Sequence, residues 1–383
     1  MPIKIGVVAP NSNYIPFLAR DMLKAIEQGL LENGGIEYEL WIEPGGYNAD
    51  KNVLTGKIQE LLVKHQVDVV VAPLNVGLFE PIKQFFSSNQ VPLIVNSLGE
   101  DVVFHASQDP YLFINSFNLW QSSWMTGYWA AEEYGKKACS ISALHDGGYG
   151  IPFSFGLGLE AREGKLLQAT VTHRESRDED PSESIKMIAE SNPDFIMGFY
   201  SGKESVSFLN AYHKLGYRDK VPLTGLPFMV DESLLDEIGD KALGIKSIYC
   251  WNQDTEEHKN FANTFTNQTG HPINCYLLMA YETGHLIAGA VQQIGEGKPV
   301  QGHLPEALKS VEFKGPRGMV KFDPETREVK TSNYLREVVK GKDGRMYNKI
   351  VKELETPTLF YEQLTLARKN MAKQGWLNPY LIA

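Results

Sequence analysis

At 383 residues with a formal net charge of −10, the chain is long for one core and lacks the basic balance of a nucleic-acid binder, so two domains are expected and a nucleic-acid partner is not. Hydrophobic residues at 43% and charged residues at 22% fit an ordinary globular protein, and no apolar run nears membrane-spanning length, so no membrane insertion is expected. Three isolated cysteines, Cys139, Cys250 and Cys275, give neither a disulfide framework nor metal-ligand spacing.

Residues 3–9 read as a strand, entered straight from Met1-Pro2 with no signal-peptide pattern. A loop at 10–16 holds Tyr14. A helix over 18–32 follows, with Leu18, Met22, Ala25, Ile26, Gly29 and Leu30 on one face and Gly34-Gly35 at its end. An alternating strand at 38–43 and a helix at 53–64 come next. Asp68 opens the β-branched run 69–72, too short for a helix and suited to a strand covered on both faces. The run stops at Pro73 and gives way to the small-residue loop Leu74-Asn75-Val76-Gly77. Phe79, Ile82, Phe85 and Phe86 stand at helical spacing, and 91–95 is a second buried run that ends in Asn96-Ser97-Leu98-Gly99. Short extended pieces at 103–104 and 113–115 lead across to a second half.

That half opens with a helix at 122–134, a strand at 138–143, a glycine-rich loop at 145–150, a helix at 153–163 and a strand at 168–173. The charged loop 174–184 reads as solvated surface, before a helix at 185–190. Residues 194–229 then repeat the plan of 65–99: Asp194 answers Asp68, and Val221-Pro222-Leu223 answers Val91-Pro92-Leu93. A strand at 245–251 and helices at 258–269 and 276–294 complete the pattern. Alternating strands and helices predict two similar doubly wound α/β lobes with mainly parallel sheets. In such sheets ligands bind beyond the carboxyl ends of the strands, where loops feed helix N-termini rich in free N–H groups.

Enzyme signatures are missing. The loop after the first strand has no glycine and 146–150 has glycines at the wrong spacing for a dinucleotide, so no cofactor is expected. Glu282 and His285 share a helix face without a second pair, which reads as a partly exposed surface and not a metal site. Two similar α/β halves with a thiol each, Cys139 and Cys250, raise a remote alternative of proton exchange across the cleft by a cofactor-independent racemase. Both fall inside predicted strands, as small buried hydrophobes do.

The opening KIGVVAP, the Asp-led strands, the VPL strands, the Tyr149-Gly150 pair and above all FKGPRGMVKFDPETREV at 313–329 resemble the type I periplasmic binding proteins, in their branched-chain amino acid and amide receptor branch. The resemblance covers nearly all of residues 1–340; the tail beyond Lys340 is less diagnostic. It implies two lobes joined by three hinge crossovers, residues 1–118 with 252–312 and residues 119–251 with 313–383, closing on a small solute. It implies a receptor with no catalytic activity, partnered by the membrane permease of an ABC importer and working outside the cytoplasm. The alternative is a cytoplasmic or membrane-linked sensor that uses the same closure to signal amide-like compounds. The expected solute contacts are Tyr14, Asn75, Val76, Gly77, Asn96, Ser97, Leu98 and Gly99 from the first half. From the second come Tyr149, Tyr200, Ser201, Pro227 and Phe228, with Trp120 near the first crossover and Tyr276 at a helix start. One departure bears on the solute. Amino-acid receptors of this kind place an acid in the loop after the second VPL strand, and here that loop is Thr224-Gly225-Leu226-Pro227-Phe228-Met229, with Asp231 and Glu232 only later. A small carboxylate or amide with an apolar portion is therefore expected over an α-amino acid.

Overall fold

The β-branched runs form two sheets, as their burial requires. In the computed structural model, which describes residues 2–370 except 14, 16, 33, 49, 75–77, 80, 102–108, 148–149 and 252, the first sheet holds β1 (Ile3–Ala9), β2 (Tyr38–Pro44), β3 (Val69–Pro73), β4 (Leu93–Ser97) and β5 (Leu112–Ser116). Its order is β2-β1-β3-β4-β5, all parallel. The second sheet takes β6 (Lys137–Ala143), β7 (Lys165–Thr172), β8 (Phe195–Phe199), β9 (Leu223–Gly225) and β10 (Lys246–Tyr249) in parallel. The antiparallel pair β14 (Asn333–Lys340) and β15 (Met346–Leu354) extends it past β10. A third, antiparallel sheet is the late hairpin, β11 (Glu312–Gly315), β12 (Gly318–Phe322) and β13 (Val329–Lys330).

Helices cover the parallel strands. Around the first sheet stand α1 (Leu18–Glu32), α2 (Lys51–Gln59), α3 (Lys83–Asn89), α10 (Glu256–Thr269), α11 (Cys275–Ile294) and α12 (Leu304–Ser310). Around the second are α4 (Leu119–Glu133), α5 (Leu144–Gly147), α6 (Ile151–Glu160), α7 (Ser182–Glu190), α8 (Gly202–Lys214), α9 (Glu232–Ile238) and α13 (Thr358–Asn370). The chain passes between lobes after β5, after β10 and between β13 and β14. One apolar core takes in α1 and α11, continues through Phe117, Tyr249 and Trp251 at the crossovers, and reaches α4 and α6. Separate clusters fill the far face of each sheet.

One expectation changes and two are filled out. The piece at 113–115 is extended as expected and is the heart of β5, the edge of the first parallel sheet, from which the chain leads across to the second lobe. The piece at 103–104 lies outside the described residues. Residues 313–330, assigned to the second lobe from sequence, sit beside the first: the Ile114 N–H donates to the Arg327 carbonyl at 2.9 Å, and Ile114 bridges Glu328 in parallel. The tail that the resemblance did not explain pairs β15 onto β14 and lays α13 on α4. There the Trp124 indole donates to Gln363 at 2.6 Å and Phe360 packs between Trp120 and Trp124.

Each lobe brings two helices together at backbone distance. A β-carbon on Gly29 or Gly284 would overlap a carbonyl of the opposite helix, Tyr281 or Ile26, where α1 crosses α11. Gly127 and Gly158 play the same part where α4 crosses α6. Gly158→Ala is accordingly expected to lower stability by about 1–3 kcal/mol, since helix backbones cannot yield as a side chain can. Gly156→Ala, on the open face of the same helix, should be neutral or gain up to about 1 kcal/mol from helix propensity. Equal losses at the two positions, read from urea midpoints, would contradict this account of the crossing.

Candidate functional site

The carboxyl ends of the two parallel sheets meet at a seam. After β4 the chain turns back on itself: the Ser97 hydroxyl accepts from the Gly99 N–H at 3.1 Å and reaches the Glu100 carboxylate at 3.5 Å, while Gly99 takes the left-handed φ of +72°. The turn aims Asp101 at the other lobe, where its carboxylate accepts from the Gly150 N–H at 2.8 Å, at the start of α6. The first turn of α6 is itself fixed to α4, because Ser123 donates to the Ile151 carbonyl and Ser154 to that of Trp120.

Two acids near these strand ends are deeply buried. Burial, with the neighbouring Asp101 charge, pushes the Glu100 carboxyl up to about 7. Burial likewise pushes Asp146 in α5 up to about 7, against the lowering effect of the Ser201 hydroxyl that donates to it at 3.0 Å. At neutral pH each is partly protonated and can donate as well as accept a hydrogen bond. Sequence reasoning passed over both, although Glu100 directly follows the quoted Asn96-to-Gly99 loop and Asp146 lies inside the glycine-rich loop it discussed.

Of the residues expected at the site, Tyr14, Asn75, Val76, Gly77 and Tyr149 lie outside the described residues. Asn96 is buried at the end of β4, accepting from the Thr283 hydroxyl of α11 at 2.9 Å, and its amide nitrogen has no partner among the described residues. Ser97, Leu98 and Gly99 form the turn just described, with Leu98 in the core. Trp120 is 3% exposed in the first turn of α4, its indole N–H without a partner among the described residues. Ser201 holds Asp146. Tyr200 is placed differently from the expectation: its ring stacks on Phe208 at 4.4 Å and its hydroxyl meets Thr172 at 2.8 Å, in the core behind the second sheet. Pro227 is buried in the 3-10 turn after β9, and Phe228 stands half-buried against the Tyr249 ring at 6.0 Å. Tyr276 opens α11, whose N-cap Asn274 accepts from the Tyr276 and Leu277 N–H groups at 3.0 and 3.1 Å.

Behind the seam, the crossovers share a buried ionic knot. Arg317, from the Gly-Pro-Arg-Gly turn, and Glu282 are both fully buried, and the Arg317 Nε donates to Glu282 at 2.8 Å. Its other nitrogens donate to the Ser116 carbonyl and the Asn115 side chain, each at 2.7 Å, and its guanidinium lies 4.3 Å over the Phe117 ring. Burial opposes the Arg317 charge, but the Glu282 carboxylate outweighs it and holds the guanidinium above its ordinary pKa. Glu282 is thus a structural counter-ion on a buried helix, not part of an exposed face. His285 stacks on Phe313 at 4.5 Å. Among the described residues no group of three His, Cys, Asp or Glu side chains is arranged to hold a metal.

The thiols are also spoken for. Cys139 in β6 points at the Ile188 carbonyl at 3.7 Å, and Cys250, just past β10, donates to the Phe117 carbonyl at 3.3 Å. Burial raises both pKa values, which keeps the thiols protonated and unsuited to taking up a proton. Asp231 and Glu232 are occupied within the second lobe. Asp231 caps α9, accepting from the Ser233 N–H at 3.0 Å and hydroxyl at 2.6 Å, and Glu232 accepts from Asn348 at 3.0 Å beside Arg336 at 3.7 Å.

Two α/β lobes, three crossovers and polar strand-end loops that meet across a seam describe a bilobal binding-protein fold. The chain belongs to the periplasmic binding protein family, whose model matches residues 2–344. It is 26% identical over 366 residues, 92% of each chain, to Leu/Ile/Val-binding protein homolog 6 of Brucella melitensis. Its fold is similar to an ABC transporter substrate-binding protein from Sphaerobacter thermophilus, at 26% identity and a TM-score of 0.80 over 93% of this chain and 98% of that one. A solute-binding protein of an ABC transporter from Rhodopseudomonas palustris, solved with 3,4-dihydroxybenzoic acid, aligns with a TM-score of 0.75 at 23% identity over the same shares. Among the described residues no helix is long and apolar enough to cross a membrane.

Proposed function

We propose that this chain is the extracytoplasmic receptor of an ABC importer and closes its lobes on a small carboxylate or amide carrying an apolar or aromatic portion. Residues 1–118 with 252–330 form one moving body, and 119–251 with 331–370 the other. The observation that carries the solute class is the engagement of Asp231 and Glu232. With Asp231 capping α9 and Glu232 held by Asn348 and Arg336, the acids nearest the second VPL strand are committed to their own lobe, and a buried ammonium lacks its usual partner there. The partly protonated Glu100 and Asp146 suit a carboxylate or carbonyl, to which a protonated acid can donate. Tyr276, Phe228 and Trp120 supply aromatic surface for the apolar portion, and the structural relative that holds a dihydroxybenzoic acid is in keeping with such a solute. The membrane permease is the partner to which the closed form docks.

The test is a thermal-shift panel that pairs leucine, valine and phenylalanine with their deaminated acids, with benzoate and benzamide added. The expected result is stabilisation by one or more acids or the amide and none by the amino acids. Stabilisation by the amino acids alone would overturn the reading and would make Asp146 or Glu100 the ammonium partner.

A further inference from the structure

We infer that Asp101 is a positioning residue that holds the lobes together before any solute arrives. This rests on the reading that the lobes open and close. The hydrogen bond from the Gly150 N–H to the Asp101 carboxylate, 2.8 Å long, joins a loop of the first lobe to the N-terminus of α6 in the second, and needs nothing between them. The donor end is rigid, since Ser123 and Ser154 tie the first turn of α6 to α4 and the helices cross at Gly127 and Gly158. The acceptor end is set by the Ser97–Gly99 turn. A second observation is steric. A β-carbon on Gly150 would stand 2.8 Å from the Asp101 carboxylate and 3.4 Å from the Glu100 carbonyl across the seam, so a side chain at residue 150 would push Asp101 out of its present position.

The N-terminus of a ten-residue helix favours an acceptor, and here a protein carboxylate takes it. Two consequences follow. The ligand-free receptor spends much of its time closed, so the solute does not have to supply the whole free energy of closure. An anionic solute meets Asp101 already seated at the start of α6, which steers its carboxylate away from that helix and sets its orientation.

Small-angle scattering on the ligand-free protein tests this without knowledge of the solute. Wild type should be compact, with a radius of gyration near about 21 Å for a chain of this length. Asp101→Ala and Gly150→Ala should both expand, while Asp101→Asn, which keeps an acceptor oxygen, should stay compact. Far-UV circular dichroism and melting confirm that each variant is folded, and the two substitutions on opposite lobes guard against a local defect in either. An already open wild type, Asp101→Ala and Gly150→Ala as compact as wild type, or Asp101→Asn as open as Asp101→Ala would each overturn the inference. None of these outcomes bears on the solute panel, so failure of the contact and failure of the solute class are told apart.

Discussion

Arg317→Met is expected to cost about 3–5 kcal/mol of stability, because it leaves the fully buried Glu282 carboxylate without a counter-ion. It also removes donors from the Ser116 carbonyl and the Asn115 side chain, and an orphaned buried acceptor costs about 1–3 kcal/mol by itself. Glu282→Leu should be comparably damaging, since it strands the guanidinium. The double variant separates charge from packing. Two apolar side chains of similar volume remove both desolvated charges together, so the pair should recover much of either single loss and show strong coupling. Urea unfolding of the four proteins measures the cycle. Single losses below about 1 kcal/mol, or a double loss equal to the sum of the singles, would mean that this knot contributes little.

The second large effect is on pH. Glu100 and Asp146 fold with pKa values of about 7, above their unfolded values near about 4. Each group's contribution is fully present below the unfolded pKa and is lost as pH rises through the folded one. Between roughly pH 4 and 8 the protein should therefore lose stability on the order of 3 kcal/mol per group. Glu32 acts in the opposite sense: burial works against its charge, but hydrogen bonds from His285, Tyr281 and Gln28 win and hold it at about 2, so its contribution is lost as pH falls from about 4 toward 2. Glu32 is partly exposed, and solvent screening keeps its effect small. Stability should peak in mild acid. Asp146→Asn should flatten the decline toward alkaline pH, measured as the difference in urea midpoint between pH 5 and pH 8.5. An unchanged slope in that variant would remove Asp146 from the account.

Much of the fold was legible because it rests on local composition. The runs at Val69–Pro73 and Phe195–Phe199 are β-branched or aromatic and bounded by loop residues, and each lies buried in a parallel sheet where periodicity put it. Lobe membership was not legible at 313–330, because a hairpin's own pattern says nothing about which sheet edge it will lie against. The contact between Ile114 and Arg327 is a long-range fact. Site residues divide the same way. The turn after β4 was legible from its small polar residues, but a rule that favours small hydrogen-bonding residues stops at Gly99 and passes over the acids beyond it. Tyr200 was misjudged because a tyrosine at a strand end looks the same in sequence whether it faces a cleft or, as here, turns behind the sheet to bond Thr172. The place of Asp231 and Glu232 beyond the loop was legible in sequence, but their engagement by Ser233, Asn348 and Arg336 is visible only in three dimensions.

The ionic knot also has a bearing on how the chain matures as it is synthesised. Arg317 lies 201 positions after Ser116 and 35 after Glu282, yet it caps the end of β5 at the first and neutralises a buried carboxylate of α11 at the second. By the time Arg317 leaves the ribosome, all five parallel strands of the second sheet, Lys137 to Tyr249, have already been made as one uninterrupted stretch. The first lobe is the one that must wait: its β5 edge and the Glu282 carboxylate stay uncompensated until the late hairpin arrives. A nascent chain halted before residue 317 carries a second lobe with its parallel strands complete and a first lobe whose ion pair has only one partner.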